Sequence, residues 1–73
     1  MAYQVYSCKG DYSFDSVADC YRLYVEYLPS YFTIEIGGET VLTISPLRVE
    51  FSNTSMGLFV SQQWEQAERE EQC

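Results

Sequence analysis

Seventy-three residues suffice for one small domain spanning 1–73 and leave no room for a second core beside the first. Apolar residues make up 47% of the chain and charged residues 21%, a balance too apolar for a disordered acidic tail and too interrupted by polar residues for a membrane span. Eleven Asp and Glu against four Lys and Arg leave a net charge of −7, which disfavours DNA, RNA or anionic lipid as direct ligands and points to a basic partner.

Along residues 3 to 8, Tyr3, Val5 and Ser7 alternate with Gln4, Tyr6 and Cys8, and aromatic and β-branched side chains of this kind predict a first strand. Lys9-Gly10-Asp11 supplies turn chemistry, and Ser16 with Asp19 three residues on forms a weak capping box, so a helix is expected to begin there. Val17, Cys20, Tyr21, Tyr24, Tyr27 and Leu28 recur at spacings of three and four as an apolar stripe, with Asp15, Asp19, Arg22 and Glu26 on the opposite ridge. Pro29 ends the helix, because the residue before a proline is pushed out of helical geometry.

Phe32, Ile34 and Ile36, then Gly37-Gly38, then Thr40, Leu42 and Ile44 read as a hairpin. A bare two-residue loop would set Phe32 opposite Thr43. Keeping Phe32, Ile34, Leu42 and Ile44 on one face therefore predicts a three-residue loop with a bulge at a glycine. Ser45-Pro46 marks either a tight reversal or a kinked edge strand, after which Leu47, Val49 and Phe51 alternate with Arg48 and Glu50. Leu58-Phe59-Val60 reads either as a short strand or as the start of the last helix. Ser61 is a candidate cap for that helix, and Val60, Trp64 and Ala67 are its docking stripe. The predicted class is α+β: an antiparallel sheet of four or five strands and two helices in the order βαβββ(β)α, with the first helix on one face and the second at an edge.

The chain has no histidine, the side chain most used for acid and base work near neutral pH and the commonest metal ligand. Cys8, Cys20 and Cys73 are odd in number and match no zinc-ligand spacing, and Cys8 and Cys20 are read as reduced thiols rather than a disulfide. No enzyme, cofactor or metal site is expected. Met1 to Tyr6 has neither a basic segment nor a long apolar stretch, which makes the cytoplasm the expected location.

The acids are spread along the chain, with −2 in residues 1–28, −2 in 29–60 and −3 in 61–73. Asp15, Asp19 and Glu26 form one ridge, where Arg22 pairing with Asp19 or Glu26 gives an ordinary solvated helix face as the plain alternative. Glu65, Glu68, Glu70 and Glu71 crowd the end of the second helix, against its dipole, so local stability does not account for them; Glu65 pairing with Arg69 at spacing four, on a fraying solvated helix end, is the plain alternative. Seven tyrosines provide rings for the core, and at least one, Tyr27 or Tyr12, is expected to be exposed beside the acids. The candidate partner-binding set is Asp15, Asp19, Glu26, Tyr27, Glu65, Glu68 and Glu71.

In size, charge and lack of catalytic motifs the chain resembles the small acidic proteins that phages and mobile elements encode against bacterial defence, among them anti-CRISPR inhibitors and DNA mimics. Those proteins share no common signature, so the resemblance carries over no residue. It implies a non-enzymatic inhibitor in the bacterial host cytoplasm that occupies the cationic nucleic-acid site of a defence protein, such as a CRISPR effector subunit. The alternative is a homo-oligomeric scaffold or interaction module with no mimicry, and the protein is expected to be a monomer or a homodimer.

Overall fold

Where the sequence suggests a loop after the first strand, the chain instead makes a hairpin. Strand β1 (Tyr3–Ser7) turns through Cys8 and Lys9 into strand β2 (Gly10–Phe14), pairing Ser7 with Gly10 and Tyr3 with Phe14. Gly10 sits at φ 131°, a conformation that side chains with a Cβ rarely adopt, and the Ser7 hydroxyl fastens the turn by donating to the Gly10 carbonyl at 2.9 Å. Gly10, Asp11 and Ser13 are turn formers, which hid this strand. As an edge strand it needs only Tyr12 and Phe14 to face inward.

The computed structural model describes residues 2–71. After helix α1 (Val17–Tyr27) come β3 (Phe32–Ile36), β4 (Glu39–Ser45), β5 (Arg48–Phe51) and helix α2 (Ser55–Glu71). The five strands form one antiparallel sheet in the order β2-β1-β3-β4-β5. The α+β class, the antiparallel sheet and the two helices are as the sequence predicts, with the fifth strand at Gly10–Phe14. Residues 58–60 belong to α2.

Register decides what is buried. Val5 lies opposite Tyr12 on one side and Ile34 on the other, Ile34 opposite Leu42, and Leu42 opposite Phe51, so one face of the sheet is apolar from edge to edge. Gly37 and Gly38, both at positive φ, make a two-residue turn, and the register shifts between Ile34 and Glu35 so that Val41 is the extra residue. The predicted face, with Phe32, Ile34, Leu42 and Ile44 together, holds, but the bulge lies at Val41, which is fully buried, rather than at a glycine. Pro46 and Leu47 make the tight reversal into β5.

Both helices cover the apolar face. α1 lies over β1 and β2, α2 lies over β4 and β5, and the two helices pack on each other. The second helix is thus part of the layer rather than at an edge, because its buried residues Gly57, Val60, Trp64 and Ala67 make a longer stripe than a docking edge requires. Ser61 is not its cap. The Thr54 hydroxyl accepts from the Gly57 N–H at 3.1 Å and donates to Glu39 at 3.1 Å, starting the helix seven residues earlier. Gly57 is a helix residue for a steric reason: a Cβ there would lie 2.0 Å from the Ser52 carbonyl oxygen.

The centre of the core is aromatic. The Trp64 ring meets Tyr21 edge-on with centroids 5.0 Å apart, and lies 5.6 Å from Tyr24 and 5.9 Å from Phe32. These contacts tie α2 to α1 and to the sheet at one point. The opposite face carries Gln4, Tyr6, Asp11, Ser13, Glu35, Thr43 and Glu50 and is covered by no element among the described residues.

Candidate protein-interaction surface

The helical layer concentrates the charge. Asp15 to Tyr27 and Ser55 to Glu71 together hold seven carboxylates and two arginines, a balance of −5 out of the total of −7. The strands and turns hold four carboxylates, Lys9 and Arg48, which leaves −2 for the rest.

α1 places its share by helix geometry. Ser16 is the N-cap, accepting from the Asp19 N–H at 3.2 Å, so Asp15 lies just before the helix rather than on its ridge. Asp19, Arg22 and Glu26 share the side turned from the core. Asp19 is the member that is neutralised: Arg22 binds its carboxylate, and this contact first and the Ser16 hydroxyl second hold it below the ordinary aspartate value. Glu26 and Asp15 are exposed and form no ion pair among the described residues.

Tyr27 is 47% exposed and opens an apolar run with Leu28 at 69% and Tyr31 at 51%. Leu28 is not on the buried stripe as the spacing predicts. It is the C-cap, in the left-handed region at φ 45°, with its N–H donating to the Tyr24 carbonyl at 2.7 Å. Glycine usually takes that position, so a leucine there leaves its side chain in solvent. The Leu28-Pro29 pair was the signal for a helix end but did not reveal the handedness of the cap. Tyr12 is half-buried against the core, so Tyr27 is the more exposed of the two rings considered.

On α2, Glu65 faces Arg69 at 3.7 Å. Glu68 and Glu71 lie beside Tyr21 of α1. Burial first, then the charges of Glu68 and Glu71, push the Tyr21 hydroxyl above its ordinary value. The fold therefore brings the end of α2 against α1. Of the seven candidate residues, Asp19 and Glu65 are paired within the chain, Asp15, Glu26, Glu68 and Glu71 are exposed on the helical layer, and exposed Tyr27 lies at the opposite end of α1 from Asp15. Glu70, which was not among the candidates, adds one more exposed carboxylate there.

The cysteines are not bonded to each other. Burial pushes the Cys20 thiol up to about 12, whereas exposed Cys8 is held below its ordinary value by the Ser30 hydroxyl first and the Tyr31 backbone second. Cys73 lies outside the described residues. A shallow recess of about 430 Å³ on the bare face, lined by Thr40, Thr43, Glu50 and Asn53 among others, has one carboxylate, and Glu50 is tied to Arg48 at 2.8 Å. Among the described residues no three potential metal ligands cluster, and no helix is long and apolar enough to cross a membrane.

The fold and surface define a two-layer α+β protein with an acidic helical layer over a five-stranded antiparallel sheet. In comparison with known proteins, the chain matches no family model, no curated protein and no solved structure.

Proposed function

We propose that this protein is a binding inhibitor that presents its acidic helical layer to the cationic nucleic-acid site of another protein, in the manner of the anti-CRISPR inhibitors and DNA mimics it resembles. One observation carries the reading: the helical layer holds −5 of the net −7, and its two arginines are already engaged with Asp19 and Glu65. The other carboxylates of that layer, at Asp15, Glu26, Glu68, Glu70 and Glu71, are left to meet target Lys and Arg. Tyr27, Leu28 and Tyr31 add apolar area that a contact can desolvate, and aromatic side chains are frequent energetic centres of interfaces. Nucleic acid is excluded because the two polyanions compete for one cationic groove, and opposite charge speeds the encounter. The step is steric and electrostatic, with no bond made or broken, and its setting is the bacterial cytoplasm.

The test is affinity capture from a bacterial lysate, followed by competition on each captured protein with duplex DNA and with RNA. Capture of a nucleic-acid-binding protein that either competitor displaces is the expected result. A partner that binds equally well in saturating nucleic acid overturns the mimic reading.

A further inference from the structure

The β5 edge has a self-complementary pattern that the inhibitor reading does not use. Ser45 and Arg48 flank a two-residue turn and so exchange hydrogen bonds. The alternation of an antiparallel ladder then turns the N–H and C=O of Val49 and Phe51 away from β4, toward open solvent. Side chains along this edge are unusually apolar for an unpaired strand: Leu47 is 94% exposed and Val49 54%.

Phe59 extends this strip. It lies nine residues before Glu68, which is half a turn round the helix, and Glu68 acts on Tyr21 of α1. Phe59, 44% exposed, therefore looks away from α1, on the β5 side of α2.

We propose that β5 pairs antiparallel with β5 of a second copy of this chain, about a two-fold axis at Val49. In that register Val49 lies opposite Val49 and exchanges both backbone hydrogen bonds, Arg48 of each copy lies opposite Glu50 of the other on the bare face, and Leu47 lies beside Phe51. Shifting the pairing by two residues sets Glu50 against Glu50, so charge selects the first register. The other edge has the pattern less fully: Asp11 lies in β2, but the only cation spaced to oppose it, Lys9, sits in the turn outside the strand among the described residues. The isologous contact joins two five-stranded sheets into one of about ten strands and places all four helices on one side, doubling the acidic layer.

Light scattering after size exclusion, over a wide range of protein concentration, tests the pairing. The native chain is expected to move from the monomer mass to twice that mass. Val49→Pro removes the outward N–H without taking a bond from the β4 ladder and is expected to stay monomeric with an unchanged far-ultraviolet spectrum. Arg48→Glu sets like charges opposite twice and weakens the dimer by roughly tenfold, while Arg48→Glu with Glu50→Arg restores it. A native chain that stays monomeric throughout, growth past the dimer, or a dimer that Arg48→Glu leaves unweakened overturns the proposal. Because the readout needs no partner protein, its failure is separate from failure of the inhibitor reading.

Discussion

Truncating Trp64 to alanine tests whether one ring cluster holds the helical layer in place. The side chain is 6% exposed and packs on Tyr21, Tyr24 and Phe32, which belong to α1 and the sheet. Removing a buried tryptophan costs about 3–5 kcal/mol, through lost transfer energy and the cavity left behind. A domain of this length has about 4–11 kcal/mol in total, at 0.05–0.15 kcal/mol per residue. The variant is thus expected to keep a small fraction of native stability or to be unfolded at 37 °C. Urea melts followed by far-ultraviolet circular dichroism are the suitable assay, because Trp64 is the sole tryptophan and its loss removes the fluorescence signal. Trp64→Phe keeps a ring and is expected to lose about half as much. A loss below about 1 kcal/mol for Trp64→Ala would refute the idea that α2 is anchored there.

Four further outcomes follow from local geometry. Gly57→Ala, normally stabilising in a helix, is expected to destabilise by about 1–3 kcal/mol in thermal melts, because the added carbon meets the Ser52 backbone at 2.0 Å. Leu28→Gly relieves a left-handed cap and gives up little burial, so the melting temperature is expected to rise by the equivalent of about 1 kcal/mol. Arg22, then Ser16, lowers the pKa of Asp19 in the folded chain, so its contribution is full above the ordinary value of 3.8 and fades as pH falls through the lower folded value. Asp19→Asn removes that part of the acid sensitivity, and acid titrations of native and variant chains measure the difference. Thiol alkylation mapped by mass spectrometry is expected to label Cys8 at neutral pH and to spare Cys20 until the chain is unfolded.

Most of the architecture was legible because period is a strong signal. Phe32, Ile34, Leu42 and Ile44 fixed the buried face, Ser16 and Pro29 bounded α1, and Val60, Trp64 and Ala67 marked the docking side of α2. What was hidden depended on tertiary contact. β2 is built from turn formers that become a strand only when β1 pairs with them. Gly57 looks like a loop residue until Ser52 is seen packed against it, and Val41 becomes a bulge only because both flanking faces need their register. The acids were visible as residues and the Glu65–Arg69 pair followed from its spacing of four, but the choice of Asp19 over Glu26 by Arg22 and the placing of Glu68 and Glu71 beside Tyr21 required the fold. Of the two pairings of Arg22 that helical spacing offered, with Asp19 at three and Glu26 at four, the chain makes the first. Leu28 was misplaced on the stripe because spacing reports position around a helix and not the handedness of its cap.

The most direct test of the central claim compares two charge reversals of equal size on a captured partner. Glu26→Lys with Glu71→Lys alters the helical layer, and Asp11→Lys with Glu35→Lys alters the bare sheet face, each changing the net charge by about four units. Equilibrium binding across a salt series is expected to show a steep loss for the native chain, a collapse of affinity for the helical-layer variant and near-native binding for the sheet variant. Equal losses from both variants, or binding that salt does not weaken, would contradict the account.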